Sequence, residues 1–186
     1  MADWNWEELD TSIGGAEKIP EWVQRLLSQD AKIRENALQT LLCYVANQGS
    51  LYTAAAGVVD VLLDYLGSVG RLPAEAWHLM NYIFGAVSCD ATVVVEGRTV
   101  SLDGYVKARI TSLLPLVDEV VADVTIEELD GLTWVLMRLA ERSFAVIEIL
   151  EKHLSSAMGE RRASLVQAVA DARDAWEEGN QFLGDV

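Results

Sequence analysis

The chain has 186 residues, 51% of them hydrophobic, and sets 29 acidic side chains against 14 basic ones for a formal charge of -15. That size and apolar content suffice for one well-buried core or a short array of stacked units, and exclude a disordered chain. A field of this sign repels nucleic-acid phosphates and anionic lipid heads and attracts basic proteins, so neither nucleic acid nor a membrane surface is an expected partner.

The N-terminus, Met1-Ala2-Asp3-Trp4, lacks the basic and apolar regions of a signal peptide. No apolar run approaches the ~20 residues of a membrane span, and the expectation is a soluble cytoplasmic protein. Cys43 and Cys89 are far apart and outside any Cys-x-x-Cys spacing, as expected of free thiols in a reducing compartment. Residues 1–15 mix Trp4, Trp6 and Leu9 with acids. They read either as a cap over the exposed apolar side of a first repeat or as a docking peptide.

From Ile19 to Val45 the chain reads as two helices and a tight turn. Ile19, Trp22, Val23, Leu26 and Leu27 recur at helical spacing, and so do Ile33, Ala37, Leu38, Leu41, Leu42 and Val45. Pro20 sits in the first turn, where its missing amide costs nothing, and Asp30 is placed to cap the second helix. Gly49 is placed to end that helix in a left-handed conformation.

The pattern returns at an offset of about 39 residues, a period typical of paired-helix repeats. Val58, Val61, Leu62 and Leu66 fall on the first helix, and Ala76, Trp77, Met80 and Phe84 on the second, which begins at Pro73. A third copy runs through Leu113, Leu116, Val117, Val120 and Val121, then Leu132, Val135, Leu136 and Leu139. The fourth uses Val146, Ile149, Leu150 and Leu154, then Leu165, Ala168, Val169 and Ala172, with Gly179 as a helix stop. Between copies two and three, residues 90–103 break the rhythm. Val93-Val94-Val95-Glu96-Gly97-Arg98-Thr99-Val100 reads as a β-hairpin near residues 92–102, packed on the helices or on a partner.

The first unit resembles a HEAT repeat. Ile19, Pro20, Leu26, Leu27, Asp30, Ile33, Arg34, Ala37 and Leu38 match that family's apolar, Asp, apolar-Arg and Ala-Leu pattern, although the Arg34 position becomes Pro73 and Glu128 in later copies. Gln48, Gly49, Leu51, Tyr52 and Ala54 also resemble a His-Gln-Gly-x-Val-Tyr-x-Ala signature of bacterial HEAT-like proteins, with Asn47 in place of the His. The resemblance implies an all-α fold: a single domain over residues 1–186, built as a short right-handed α-solenoid of about four helical hairpins. Some small bacterial HEAT-like proteins are immunity partners of toxins.

No nucleophile elbow, phosphate loop or dinucleotide fingerprint occurs. Glu75 and His78 have the Glu-x-x-His spacing of di-iron bundles, but Leu150 stands three residues before His153, so the required second copy fails and no metal or cofactor is expected. An enzyme such as a lyase or a HEAT-like DNA glycosylase is the catalytic alternative, and the glycosylase's phosphate groove conflicts with the charge.

In a paired-helix solenoid the second helices line one face, where their non-core positions form rows. The offsets align Asn36, Glu75 and Asp130; Gln39, His78 and Thr133; Thr40, Leu79 and Trp134; Cys43, Tyr82 and Met137; and Asn47, Ala86 and Glu141. Glu75, His78, Leu79, Tyr82, Asp130, Trp134, Met137 and Glu141 are therefore the expected protein-binding residues, aromatic anchors beside acids. A one-residue phase error would turn Tyr82 or Trp134 into core. The expected function is non-enzymatic: binding a basic protein, as an immunity protein neutralising a bacterial toxin, with a generic HEAT-like scaffold or regulatory subunit as the alternative.

Overall fold

The computed structural model of the chain describes residues 4–181. They form a mostly helical protein with two small antiparallel β-hairpins, and their contacts gather into two compact units that divide between Ser112 and Leu113. Among the described residues no helix is long and apolar enough to cross a membrane.

The first unit opens with a one-turn 3-10 helix and a short hairpin, β1 (Asp10–Thr11) paired with β2 (Gly14–Gly15). Helices α1 (Ile19–Leu26) and α2 (Ala31–Val45) follow, joined as the sequence indicates. Pro20 lies in the first turn of α1, and the Asp30 carboxylate accepts from the amides of Lys32 and Ile33 to start α2. Helices α3 (Ala54–Val69) and α4 (Ala74–Gly85) form the second pair; α1 packs on α3 and α2 on α4. The turns after α2 and α4 are tied together, because Gly49 and Leu51 exchange backbone hydrogen bonds with Val87 at 2.9 Å each. Gly49 is left-handed, as expected, but it stands in a 3-10 turn four residues past the last residue of α2.

Strands β3 (Thr92–Val95) and β4 (Arg98–Ser101) make the second hairpin. Its two-residue turn, Glu96-Gly97, has positive φ at both positions, which matches the twist of the flanking strands. Directly afterwards the chain does something the sequence reading did not anticipate. Leu102–Thr111 is a helix, α5, where the insertion was expected to run on to residue 103 and a third repeat to begin at Leu113. Ser101 caps it, and Leu102, Val106 and Ile110, spaced by four, are fully buried. It packs on both α3 and α4. Asp103 in its first turn accepts from the amide and hydroxyl of Ser88, pinning the loop that leaves α4.

The second unit holds a 3-10 turn at Leu114–Leu116 and helices α6 (Val117–Asp123), α7 (Ile126–Ala140), α8 (Ala145–Ser156) and α9 (Gly159–Gln181). Here α6 packs on α8 and α7 on α9. A capping box starts α7: Thr125 accepts from the Glu128 amide while the Glu128 carboxylate accepts from the Thr125 amide. Arg161 of α9 closes the end of α6 by donating to the carbonyls of Val121 and Val124. Gly179 does not stop α9, which continues to Gln181; a Cβ at Gly179 would lie 3.0 Å from the Glu141 carbonyl oxygen, so the glycine permits close approach to the end of α7.

Candidate protein-binding surface

Of the expected binding residues in the first unit, all four lie on α4, and they have different environments. Glu75 faces α2: its Oε2 accepts from Arg34 Nε at 2.8 Å, with side-chain exposures of 15% and 13%. The same guanidinium donates to the carbonyls of Ser28 and Gln29, so Glu75 holds α4 against the α1–α2 turn instead of standing free in solvent. His78, one turn on, is half-buried. Leu79 is fully buried, contrary to the expectation that it faces outward. Both α2 and α5 pack on α4, and a helix flanked on two sides buries a wider stripe, here Leu79 with Trp77, Met80 and Ile83. Tyr82 remains at the surface, 56% exposed.

Of the other four, all in the second unit, Asp130, Trp134 and Met137 lie on α7 and Glu141 directly follows it. Asp130 is exposed, and Trp134, four residues on, is 49% exposed. Met137 is half-buried beside them, and Glu141 pairs with Arg138 at 3.0 Å near the end of the helix. Spacings of three and four place these side chains in one stripe. The opposite positions, Leu129, Leu132, Val135, Leu136 and Leu139, are buried. The stripe is thus an apolar anchor of large area with a carboxylate one turn before it.

The N-terminal segment touches both helical pairs of the first unit: Ser12 donates to the carbonyls of Tyr44 and Cys43 on α2, while the two tryptophans reach α3. Trp4 Nε1 donates to Asp60 Oδ2 on α3 at 2.9 Å, and its ring meets Tyr105 of α5 edge-on at 5.8 Å. Trp6 lies over Gly57, where a Cβ would come within 2.7 Å of the indole. Asp60, 2% exposed, also accepts from the Tyr105 hydroxyl at 2.7 Å and from Arg109 Nε at 2.6 Å. Burial first, then the hydrogen bond to Asp60 and its negative charge, push the Tyr105 hydroxyl far above its ordinary range, so it stays a donor. Sequence reasoning passed over this cluster. Two signals pointed to it: a lone acid inside the apolar run Val58–Leu63, and a Tyr-x-x-x-Arg pair on one helix face.

Cys43 and Cys89 are free and exposed. Among the described residues no group of three or more His, Cys, Asp or Glu is placed to hold a metal ion. The chain matches no protein-family model, and comparison with curated proteins and with solved structures finds no similar chain.

Proposed function

We propose that the protein is a non-enzymatic binding module that docks a basic protein partner, and that it acts as an immunity protein: it neutralises a cognate toxin by covering the toxin's active site or its access to substrate. The observation that carries this reading is Trp134, half exposed on α7 with Asp130 one turn before it, in a chain of charge -15. A large ring left in water has little role in the fold, while a partner that covers it removes its area from solvent and turns it into an anchor. Asp130 and the net charge raise the rate at which a basic partner arrives. Stacking of α1–α2 on α3–α4, and of α6–α7 on α8–α9, supports HEAT-like repeats within each unit and an α-solenoid architecture. Two exposed thiols fit a reducing cytoplasm.

The test is co-expression with a toxin domain encoded beside the gene. Growth should be restored by the wild-type protein and not by Trp134→Ala combined with Asp130→Lys, and association of the purified pair should slow as salt rises. Salt-independent association, or full protection by the double variant, would sink this reading.

A further inference from the structure

Among the described residues the β3–β4 sheet has two strands, and one edge of β3 has no strand beside it. Register decides which backbone groups lie there. Thr92 faces Ser101, Val93 faces Val100, Val94 faces Thr99 and Val95 faces Arg98. In a hairpin closed by two residues, the pair flanking the turn exchanges both backbone hydrogen bonds, and bonded pairs then alternate along the ladder. Val95 and Val93 therefore bond inward to β4, and so does Ala91, whose carbonyl accepts from the Leu102 amide at 2.9 Å. The amides and carbonyls of Thr92 and Val94 point the other way, to the open edge. Both side chains are exposed, Val94 by 65%.

A groove of about 370 Å³ runs between residues 92–94 and the N-terminal segment, which contributes Trp4, Glu8, Leu9 and Asp10. Side chains alternate across a strand, so three consecutive residues line one groove when it follows the strand's edge instead of one of its faces. Proteins blunt such edges with charge, proline or a bulge. Here β3 reads Thr-Val-Val-Val and carries none of these, whereas β4 carries Arg98. Among the described residues, the lining holds two carboxylates, Glu8 and Asp10, and no cation. A second copy of this chain would bring the same acids and a further charge of -15 to the groove, so charge selects a basic occupant.

We infer that the open edge of β3 takes an extended basic segment of a protein partner as a third strand. Its backbone pairs with Thr92 and Val94, and its lysines or arginines face Glu8 and Asp10. This site belongs to the first unit and stands without the α7 surface.

A fluorescent ten-residue peptide of alternating valine and lysine, titrated into the full-length protein and followed by anisotropy, tests the inference. Binding should saturate and weaken as salt rises. Val94→Pro removes an amide that is outside the ladder, so the hairpin and the melting temperature stay as they are; peptide affinity should fall about tenfold, as for one lost hydrogen bond. Methylating alternate peptide amides should do the same, and Asp10→Lys should weaken binding at low salt while leaving β3 untouched. Trp134→Ala should leave this affinity unchanged, which separates the site from the α7 reading. No binding at millimolar peptide, or equal binding of both amide-methylated registers, would overturn the inference. So would self-association of the protein abolished by Val94→Pro, since that assigns the edge to a second copy.

Discussion

Asp60 on α3 and Arg109 on α5 form an ion pair at 2.6 Å in which the aspartate side chain is 3% exposed while the arginine side chain is 35% exposed. That asymmetry makes the two sides unequal. Arg109→Met leaves a buried charge held by Trp4 and Tyr105 as donors and should cost about 3 kcal/mol, as breaking a buried pair does. Asp60→Asn keeps one acceptor oxygen for Trp4 and Tyr105 and turns a neutral NH2 toward Arg109, which can reach water instead, so about 1–2 kcal/mol is expected. Urea denaturation of the intact chain measures both, and equal costs would refute the asymmetry.

Gly57 sits in the interior of α3, where alanine would ordinarily gain about 1 kcal/mol of helix propensity. Gly57→Ala should nevertheless destabilise, by about 1–3 kcal/mol, because its Cβ would come within 2.7 Å of the Trp6 ring. In a Trp6→Ala background the sign should reverse. A stabilising effect of Gly57→Ala in the wild type would show that Trp6 does not hold this place.

Tyr105 sets a prediction at alkaline pH. Its pKa is raised in the fold from the ordinary value of 10.0, with burial as the largest cause. Below pH 10 both folded and unfolded chains hold the proton and the contribution is complete. Above pH 10 the unfolded chain releases it first, so stability falls until the pH passes the folded value. Tyr105→Phe should be less stable at neutral pH, by about 1 kcal/mol for the lost hydrogen bond, and should show a shallower decline above pH 10. Parallel curves for the two proteins would rule the effect out.

Glu75 and Asp130 occupy the same position in their helices by sequence offset, yet predict different phenotypes. Glu75→Gln weakens the tie between α4 and α2 and should lower stability by about 1–2 kcal/mol. Asp130→Lys alters an exposed site and should stay within about 0.5 kcal/mol of wild type. Partner association should respond in the opposite order, strongly to Asp130→Lys and weakly to Glu75→Gln. Thermal melts paired with association rates at two salt concentrations give the comparison.

Local signals proved readable where the physics is local. The Asp30 cap, Pro20 in the first turn of α1 and the Glu96-Gly97 hairpin turn each depend on a few neighbouring residues, and all are present. Helix α5 escaped notice because only Leu102, Val106 and Ile110 mark its buried side, with Gly104 in its first turn and mostly polar residues around the rest. Three apolar residues spaced by four make too narrow a stripe to stand out beside a hairpin.

The sequence by itself determined the first helical pair and its Asp30 cap, since periodicity and capping chemistry are written in adjacent residues. It also determined the net charge of -15, which depends on composition alone. Tertiary structure decided which side of each helix is left to solvent, because exposure depends on what packs alongside. On α4, with α2 and the unforeseen α5 packed against it, Leu79 is buried while Tyr82 stays outside. It also decided where Trp4 and Trp6 go: Asp60 and Gly57 on α3 receive them, and no spacing in the chain announces contacts formed across some fifty residues.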